Sequence, residues 1–278
     1  MSAFFFPFSW FPELQIYFRM GDLTITFLGT GTSMGVPAIG CDCAVCSSSD
    51  PHDQRTRSSI YVETPECAFV VDTGTDFRTQ ALREKIRRMD AAVFTHSHSD
   101  HIMGFDDLRP FCMPDKVLPV YAPEETMNDL KRVFQFAFQP ESLVPGYLHP
   151  EPHVITGPFM LGATELTPLP VKHGRARVNG YLFSRGGEKL AAYLSDCKEV
   201  PEAVVEQIAG VKVLIIDALR HKLHPTHMNI EEALVVAAKV GPGETWFTHI
   251  SHDLLHGETQ KNLPPGVRMA YDGLRLEV

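Results

Sequence analysis

The sequence predicts an α/β fold in which two β-sheets pack face to face with helices on the outside. Three observations carry that expectation. Short apolar runs of buried-strand length recur along the chain, segments with helical spacing fall between them, and strands followed by covering helices occur once in each half. The composition permits such a core: 278 residues, 44% apolar and 21% charged, are neither a disordered nor a collagen-like chain. With 25 Lys+Arg against 34 Asp+Glu the formal charge is −9, which argues against a protein that grips nucleic-acid backbones or anionic membranes. No internal repeat or linker-like stretch divides the chain, so one domain over residues 20–278 is expected.

Residues 1–19 are aromatic and apolar, but Pro7 and Pro12 break any helix and no basic residue precedes them. A signal peptide and a membrane span both fit badly. Two readings stay open, an upstream start with Met20 as the real one, or an arm packed on the domain or on a partner. Leu23–Leu28 is a β-rich run ending in the glycine-dense loop Gly29–Gly35, where backbone freedom is expected. No Gly-Lys-Ser/Thr follows, so this is not a phosphate-binding loop. Strands are predicted over Ser59–Val62, Ala68–Val71 and Ala91–Phe94, with a helix over Phe77–Arg88 and another over Met127–Phe138. The proline-punctuated stretch Gln139–Pro158 reads as an extended loop. Strands follow at Glu165–Val171, Gly180–Phe183, Lys189–Leu194, Val211–Ile216 and Thr245–His249, with a short helix over Glu202–Ala209. The clearest helix is Asn229–Lys239, with an Asn cap, Glu232 three residues on, and Ile230, Ala233, Leu234, Ala237 and Ala238 on one face.

Thirteen histidines are many for this length, and eight of them fall in three short segments, 96–101, 221–227 and 249–252, which points toward metal. Thr95-His-Ser-His-Ser-Asp-His101 follows an apolar strand directly. His96 and His98, two apart, can close on one ion, while Asp100 and His101 can serve a second. The other dense motif is Cys41-x-Cys43-x-x-Cys46: three thiolates need one more ligand for tetrahedral zinc, and His252 is the candidate. Cys67, Cys112 and Cys197 stand alone, so a disulfide framework is not expected and a reducing compartment, the cytoplasm, fits best.

The pattern H-x-H-x-D-H, with later strand-end residues His173, Asp196 and His249 in order, resembles the metallo-β-lactamase-fold hydrolases. That resemblance implies a four-layer αββα sandwich with a two-metal site at one end of the sheets. It implies that His96, His98 and His173 hold one ion, that Asp100, His101 and His249 hold the other, and that Asp196 bridges, the ions being Zn²⁺ or Mn²⁺. Hydroxide bridging them would be the nucleophile. Asp72 resembles the family's ligand-orienting carboxylate, and a turn-capping role fits it equally. The cysteine cluster, a structural zinc site, together with Gly29–Pro37 resembles the branch containing the cyclic-phosphate phosphodiesterase of bacterial phosphonate breakdown. In that branch His227 matches the general acid, with Asp217 placed to orient it, His221 and His224 being near enough to confuse the assignment. Catalytic roles thus fall on His227, Asp100 and Asp196.

The implied function is a dinuclear-metal phosphodiesterase acting on a small cyclic or linear phosphodiester. A tRNA 3′-processing nuclease shares the site, but the Gln139–Pro158 loop has no Lys or Arg with which to grip tRNA. A thioesterase of the glyoxalase II kind, which has no need of the cysteine cluster, and a non-catalytic zinc protein of cofactor biosynthesis also compete with this function. No membrane and no nucleic-acid partner are expected, and a homodimer is left open.

Overall fold

Alternate residues of the central strands face two different cores, and this accounts for their unbroken apolar runs. In Ala68–Val71 (β3), Phe69 and Val71 face the interior between the sheets, while Ala68 and Val70 face the outer helices. In Val213–Asp217 (β11), Val213 and Ile215 point inward, and Leu214 and Ile216 outward. The structure is a computed structural model that describes residues 23–112, 116–139 and 147–278. The segment 1–19 lies outside the described residues.

The first sheet consists of Thr24–Gly29 (β1), Ser59–Glu63 (β2), β3, Ala91–Val93 (β4), Leu118–Ala122 (β5), Pro150–Val154 (β6) and Arg275–Glu277 (β14), in the order β14-β1-β2-β3-β4-β5-β6. The second holds Phe159–Leu161 (β7), Thr164–His173 (β8), Ala176–Arg185 (β9), Glu188–Leu194 (β10), β11, Glu244–Thr248 (β12) and Val267–Met269 (β13), in the order β13-β12-β11-β10-β9-β8-β7. Each sheet is antiparallel in its early strands and parallel in its later ones, except that β14 joins β1 antiparallel at the edge of the first sheet. Phe69 and Phe183 meet across the interior with ring centroids 6.0 Å apart. Phe77–Arg83 (α1) and Glu124–Val133 (α3) cover the first sheet, and Glu202–Ile208 (α4) and Ile230–Val240 (α5) cover the second. The result is the predicted four-layer αββα sandwich. Each fully buried Leu, Ile, Val or Phe contributes about 1.5–3 kcal/mol. Among the described residues no helix is long and apolar enough to cross a membrane.

Several elements differ from the sequence-based expectation. Within the stretch predicted as a loop, Pro150–Val154 is a strand paired with β5, and Phe159–Leu161 follows it. Prolines are tolerated because β6 is an edge strand, where a missing N–H costs no ladder bond. The α1 helix stops at Arg83, just before Lys85, whose φ is +54°. The second predicted helix begins earlier, at Glu124, and ends in a 3₁₀ turn at Gln135–Ala137. Helix α5 has the full capping box between Asn229 and Glu232, but Ala238 is exposed and Val240 takes its place in the core. The helix His256–Asn262 (α6) is an element that the sequence pattern does not predict. In the glycine-dense loop only Gly35 has positive φ; Gly29 and Gly31 are required by close approach, since a Cβ on either would lie 2.0 and 2.9 Å from Arg57 O and Arg55 Cβ.

The loops at the edge of this sandwich are tied by a buried Arg55. Its guanidinium donates to Thr30 Oγ1, to the Ala270 carbonyl and to Nδ1 of His256, at 2.8, 2.7 and 3.0 Å. His256 must therefore be unprotonated at Nδ1, and burial, helped by the Arg55 charge, lowers it from 6.5 to about 4. A proton is taken up more readily by the unfolded chain, so this contribution to stability is complete above pH 6.5 and is lost as pH falls toward 4. The melting temperature should fall over that interval more steeply for the wild type than for His256→Gln, measured by thermal denaturation across pH. Parallel curves would mean that His256 does not carry the dependence.

Candidate active site

The groups predicted for the two-metal site stand at or soon after the C-terminal ends of strands, where the chain leaves the sheet. Asp72 follows β3 with a positive φ of 65°. Its buried carboxylate accepts from Thr95 N and Thr95 Oγ1, each at 2.8 Å, and from Nδ1 of His101 at 2.8 Å. It thus both caps the turn and orients an imidazole, so the two expectations for Asp72 coincide. His98 caps the one-turn helix Ser99–Ile102 (α2), which carries Asp100 and His101 inward. The carbonyl of Asp100 would lie 2.0 Å from a Cβ on residue 74, so Val-Asp-Thr-Gly74 needs its glycine for the approach of α2 rather than for a turn.

His173 ends β8 and donates from Nδ1 to the Thr226 carbonyl at 2.8 Å. Asp196 follows β10, and His249 follows β12 in a left-handed conformation, φ 58°. The ligand atoms of His96, His98 and His173 lie within 4.8 Å of one another, as do those of Asp100, His101, Asp196 and His249. Asp196 stands between the groups: Oδ1 is 3.2 Å from His101 Nε2, and Oδ2 is 3.4 Å from His249 Nε2 and 3.9 Å from His173 Nε2.

These atoms fit divalent ions. His96 Nε2, His101 Nε2, His249 Nε2 and Asp196 Oδ1 are buried and have no hydrogen-bond partner, whereas buried polar atoms are ordinarily paired. Burial pushes the Asp196 carboxyl up, but His249 and His101 outweigh it and hold it well below the usual carboxylate range. Burial lowers His249 to about 3, so its nitrogen is a free lone pair. Burial works against a charge on His101, but the carboxylates of Asp196, Asp72 and Asp100 outweigh it and raise that imidazole well above 6.5, so positive charge is favoured among them. Anionic oxygens and imidazole nitrogens suit Zn²⁺ or Mn²⁺.

The cysteine cluster is assembled as expected. His252 Nδ1 is 3.2, 3.6 and 3.4 Å from the Sγ atoms of Cys41, Cys43 and Cys46. Tetrahedral zinc with its usual bond lengths would separate such ligands by about 3.5 Å. The backbone N–H of Cys46 is foremost in lowering the Cys43 thiol to about 6, which favours the thiolate a metal needs. All six cysteines are free of disulfides.

His227 lies on the loop before α5, with Nδ1 2.7 Å from Asp217 Oδ2. Its ring stacks on His249 at 4.4 Å and lies 4.5 Å from the ring of His173. Burial lowers His227 and raises Asp217. Beside them opens a cavity of about 420 Å³ whose lining includes His98, Asp100, His173, Asp196, His224 and His227. A ring nitrogen of His227 lies within 4.8 Å of ligand atoms of His173 and Asp196, so the three form a possible ligand group as well. His224 stays at the cavity rim, and His221 is exposed against Glu231. Sequence reasoning missed Thr226, whose contribution is a backbone carbonyl, and Gly174, where a Cβ would sit 2.8 Å from Thr226 Cγ2.

The αββα sandwich with these strand-end groups defines a metal-dependent hydrolase domain of the metallo-β-lactamase fold. The family model for the β-lactamase superfamily domain matches residues 68–250. A crystal structure described as a new diphosphatase from the PhnP family superposes with a TM-score of 0.85 at 46% identity, covering 92% of this chain and 97% of that one. The chain belongs to the β-lactamase superfamily and to its PhnP-family branch. It is also 36% identical over 255 residues to an octanoyltransferase of Porphyromonas gingivalis, covering 89% of this chain, and spans 50% of that relative's length. Coenzyme PQQ synthesis protein B of Methylorubrum populi is 26% identical over 273 residues, covering 84% of this chain and 82% of that protein.

Gly74→Ala should displace Asp100 and lower whatever divalent metal the histidine–aspartate groups take up, while any metal at the cysteine cluster is retained, as elemental analysis of the purified protein would read. Cys43→Ser should lower thermal stability more than it lowers turnover per folded molecule, because its cluster stands outside the cavity that holds His227.

Proposed function

We propose that the chain is a dinuclear-metal phosphodiesterase for a small cyclic or linear phosphodiester. The observation that carries this reading is the juxtaposition of Asp196, set between the two ligand groups, with His227, whose second nitrogen is held by Asp217 at 2.7 Å. His96, His98 and His173 would hold one ion, Asp100, His101 and His249 the other, with Asp196 shared, and Cys41, Cys43, Cys46 and His252 would hold a structural zinc. The two ions supply Lewis-acid activation of water and neutralise charge on the phosphoryl oxygens. His227 donates from Nδ1 to Asp217, which fixes the ring and leaves Nε2 to protonate the departing alkoxide. Asp72 keeps His101 in the tautomer with a free Nε2, and the Thr226 carbonyl does the same for His173. The name of the diphosphatase relative supports phosphorus as the electrophile, and a 420 Å³ cavity in a chain of charge −9 favours a small substrate over a nucleic acid. Unpaired thiols favour a reducing compartment, the cytoplasm.

A second reading, hydrolysis of a thioester or acyl ester by the same groups, draws on the octanoyltransferase name of the Porphyromonas gingivalis relative.

The deciding experiment compares leaving groups. His227→Ala should slow cleavage of a ribose or alkyl phosphodiester by about 10²–10⁴-fold while barely affecting a p-nitrophenyl phosphodiester, whose leaving group needs no proton. Metal content should not change. Equal losses on both substrates would overturn the acid role, and loss of an ion would make His227 a ligand. Asp196→Ala should abolish hydrolysis with loss of at least one ion, and activity within about tenfold of wild type, roughly 1.4 kcal/mol, would overturn the shared role. Faster turnover of an acyl thioester than of any phosphodiester would favour the second reading.

A further inference from the structure

Among the described residues two imidazoles of the site lack a hydrogen bond at the second nitrogen: His249, which is wholly buried with Nδ1 4.0 Å from Asp217 Oδ1, and His98, which is exposed. A metal-binding imidazole ordinarily anchors its second nitrogen to a protein group that fixes the ring. His96 does so through Thr95 Oγ1 at 2.9 Å, His101 through Asp72 at 2.8 Å, and His173 through the Thr226 carbonyl at 2.8 Å. His98 is exposed and has no such bond among the described residues; the rings beside it are the imidazoles of His96 at 4.5 Å and His173 at 5.2 Å. Its place must therefore come from the backbone that carries it. That backbone is pinned at the His98 carbonyl, which accepts from His101 N and Ile102 N, and on either side of it. On the strand side Thr95 is held by both oxygens of Asp72. On the other side Ser97, adjacent to His98, donates from Oγ to Asp129 Oδ2 at 2.6 Å, while Asp129 Oδ1 accepts from Arg132 at 2.7 Å. Asp129 stands on α3, a helix seated in the core by Met127 and Leu130.

We infer that Asp129 is a positioning residue for the ion held by His96, His98 and His173, acting through Ser97 on the orientation of His98. The inference rests on the metal reading given above and deepens it. Helix α3 thereby sets the affinity of one ion of the pair and leaves the other, whose ligands are anchored by Asp72 and by their own strands, unchanged.

The test uses the full chain with its exchangeable ions removed, titrated with Co²⁺ and followed by visible absorption, with the retained zinc counted separately. Asp129→Ala and Ser97→Ala should each weaken one of the two Co²⁺ equivalents by about 10–100-fold, leaving the second equivalent and the cysteine-bound zinc as in the wild type. The double variant should be no weaker than either single one, because both delete the same bond. Asp129→Asn, whose amide oxygen still accepts from Ser97, should stay near the wild-type affinity, which a role resting on charge alone would not allow. Should Asp129→Ala fail to fold, Ser97→Ala removes the same bond from a half-exposed position and decides the matter. Wild-type affinity for both equivalents in Ser97→Ala, or equal weakening of both, overturns the inference while leaving the metal reading intact. A wild type that takes up no Co²⁺ at the histidine–aspartate groups overturns both.

Discussion

The burial of Asp196 governs the rest of the site. A carboxylate withdrawn from water loses several kcal/mol of solvation unless opposing charge or donors replace it, and this one is 2% exposed with an oxygen that has no hydrogen-bond partner. What surrounds it comes from separate strand ends of both sheets: His101 beyond β4, His173 at the end of β8, His249 beyond β12. The sandwich is what can bring such groups to one point without bending any strand. His101 and His173 are held by bonds to the second imidazole nitrogen, and His249 by its burial, so that the arrangement exists before any ligand arrives and little ordering remains for binding to accomplish.

Positive backbone φ at Asp72 and His249 belongs to the same logic. Each left-handed non-glycine residue costs on the order of 1–3 kcal/mol and persists only where its surroundings hold it. Asp72 is held by its three hydrogen bonds, to Thr95 and His101. His249 lies three residues before His252, which the three thiols grip. The cysteine cluster is in this sense a brace on the far side of the turn, keeping His249 aimed inward from outside the cavity.

Most of the chemistry was legible in the sequence because it is carried by residue types that are costly to bury in clusters. The spacing of His96, His98, Asp100 and His101 after an apolar strand announces itself, as does the Cys41/Cys43/Cys46 triplet. The αββα layering was legible from strand-length runs whose two faces are both buried. What escaped was whatever depends on long-range partnership or on backbone atoms. Pro150 and Pro152 read as loop because edge position, which makes prolines harmless, is a property of the sheet and not of the segment. The Thr226 carbonyl has no residue signature, and the bond from Ser97 to Asp129 joins residues 32 apart, each ordinary in its own context.

The hydrogen bond from His173 to the Thr226 carbonyl joins two parts of the site that chemistry would treat as separate. Thr226 immediately precedes His227, so the same peptide that orients the His173 ring also sets the entry of the His227 ring. A chain drifting toward a different ion cannot reposition His173 without moving that peptide, and one drifting toward a different leaving group cannot move His227 without disturbing His173. Under the proposed function, metal preference and substrate preference are therefore inherited together, and divergence should proceed by paired steps on β8 and the 218–229 loop.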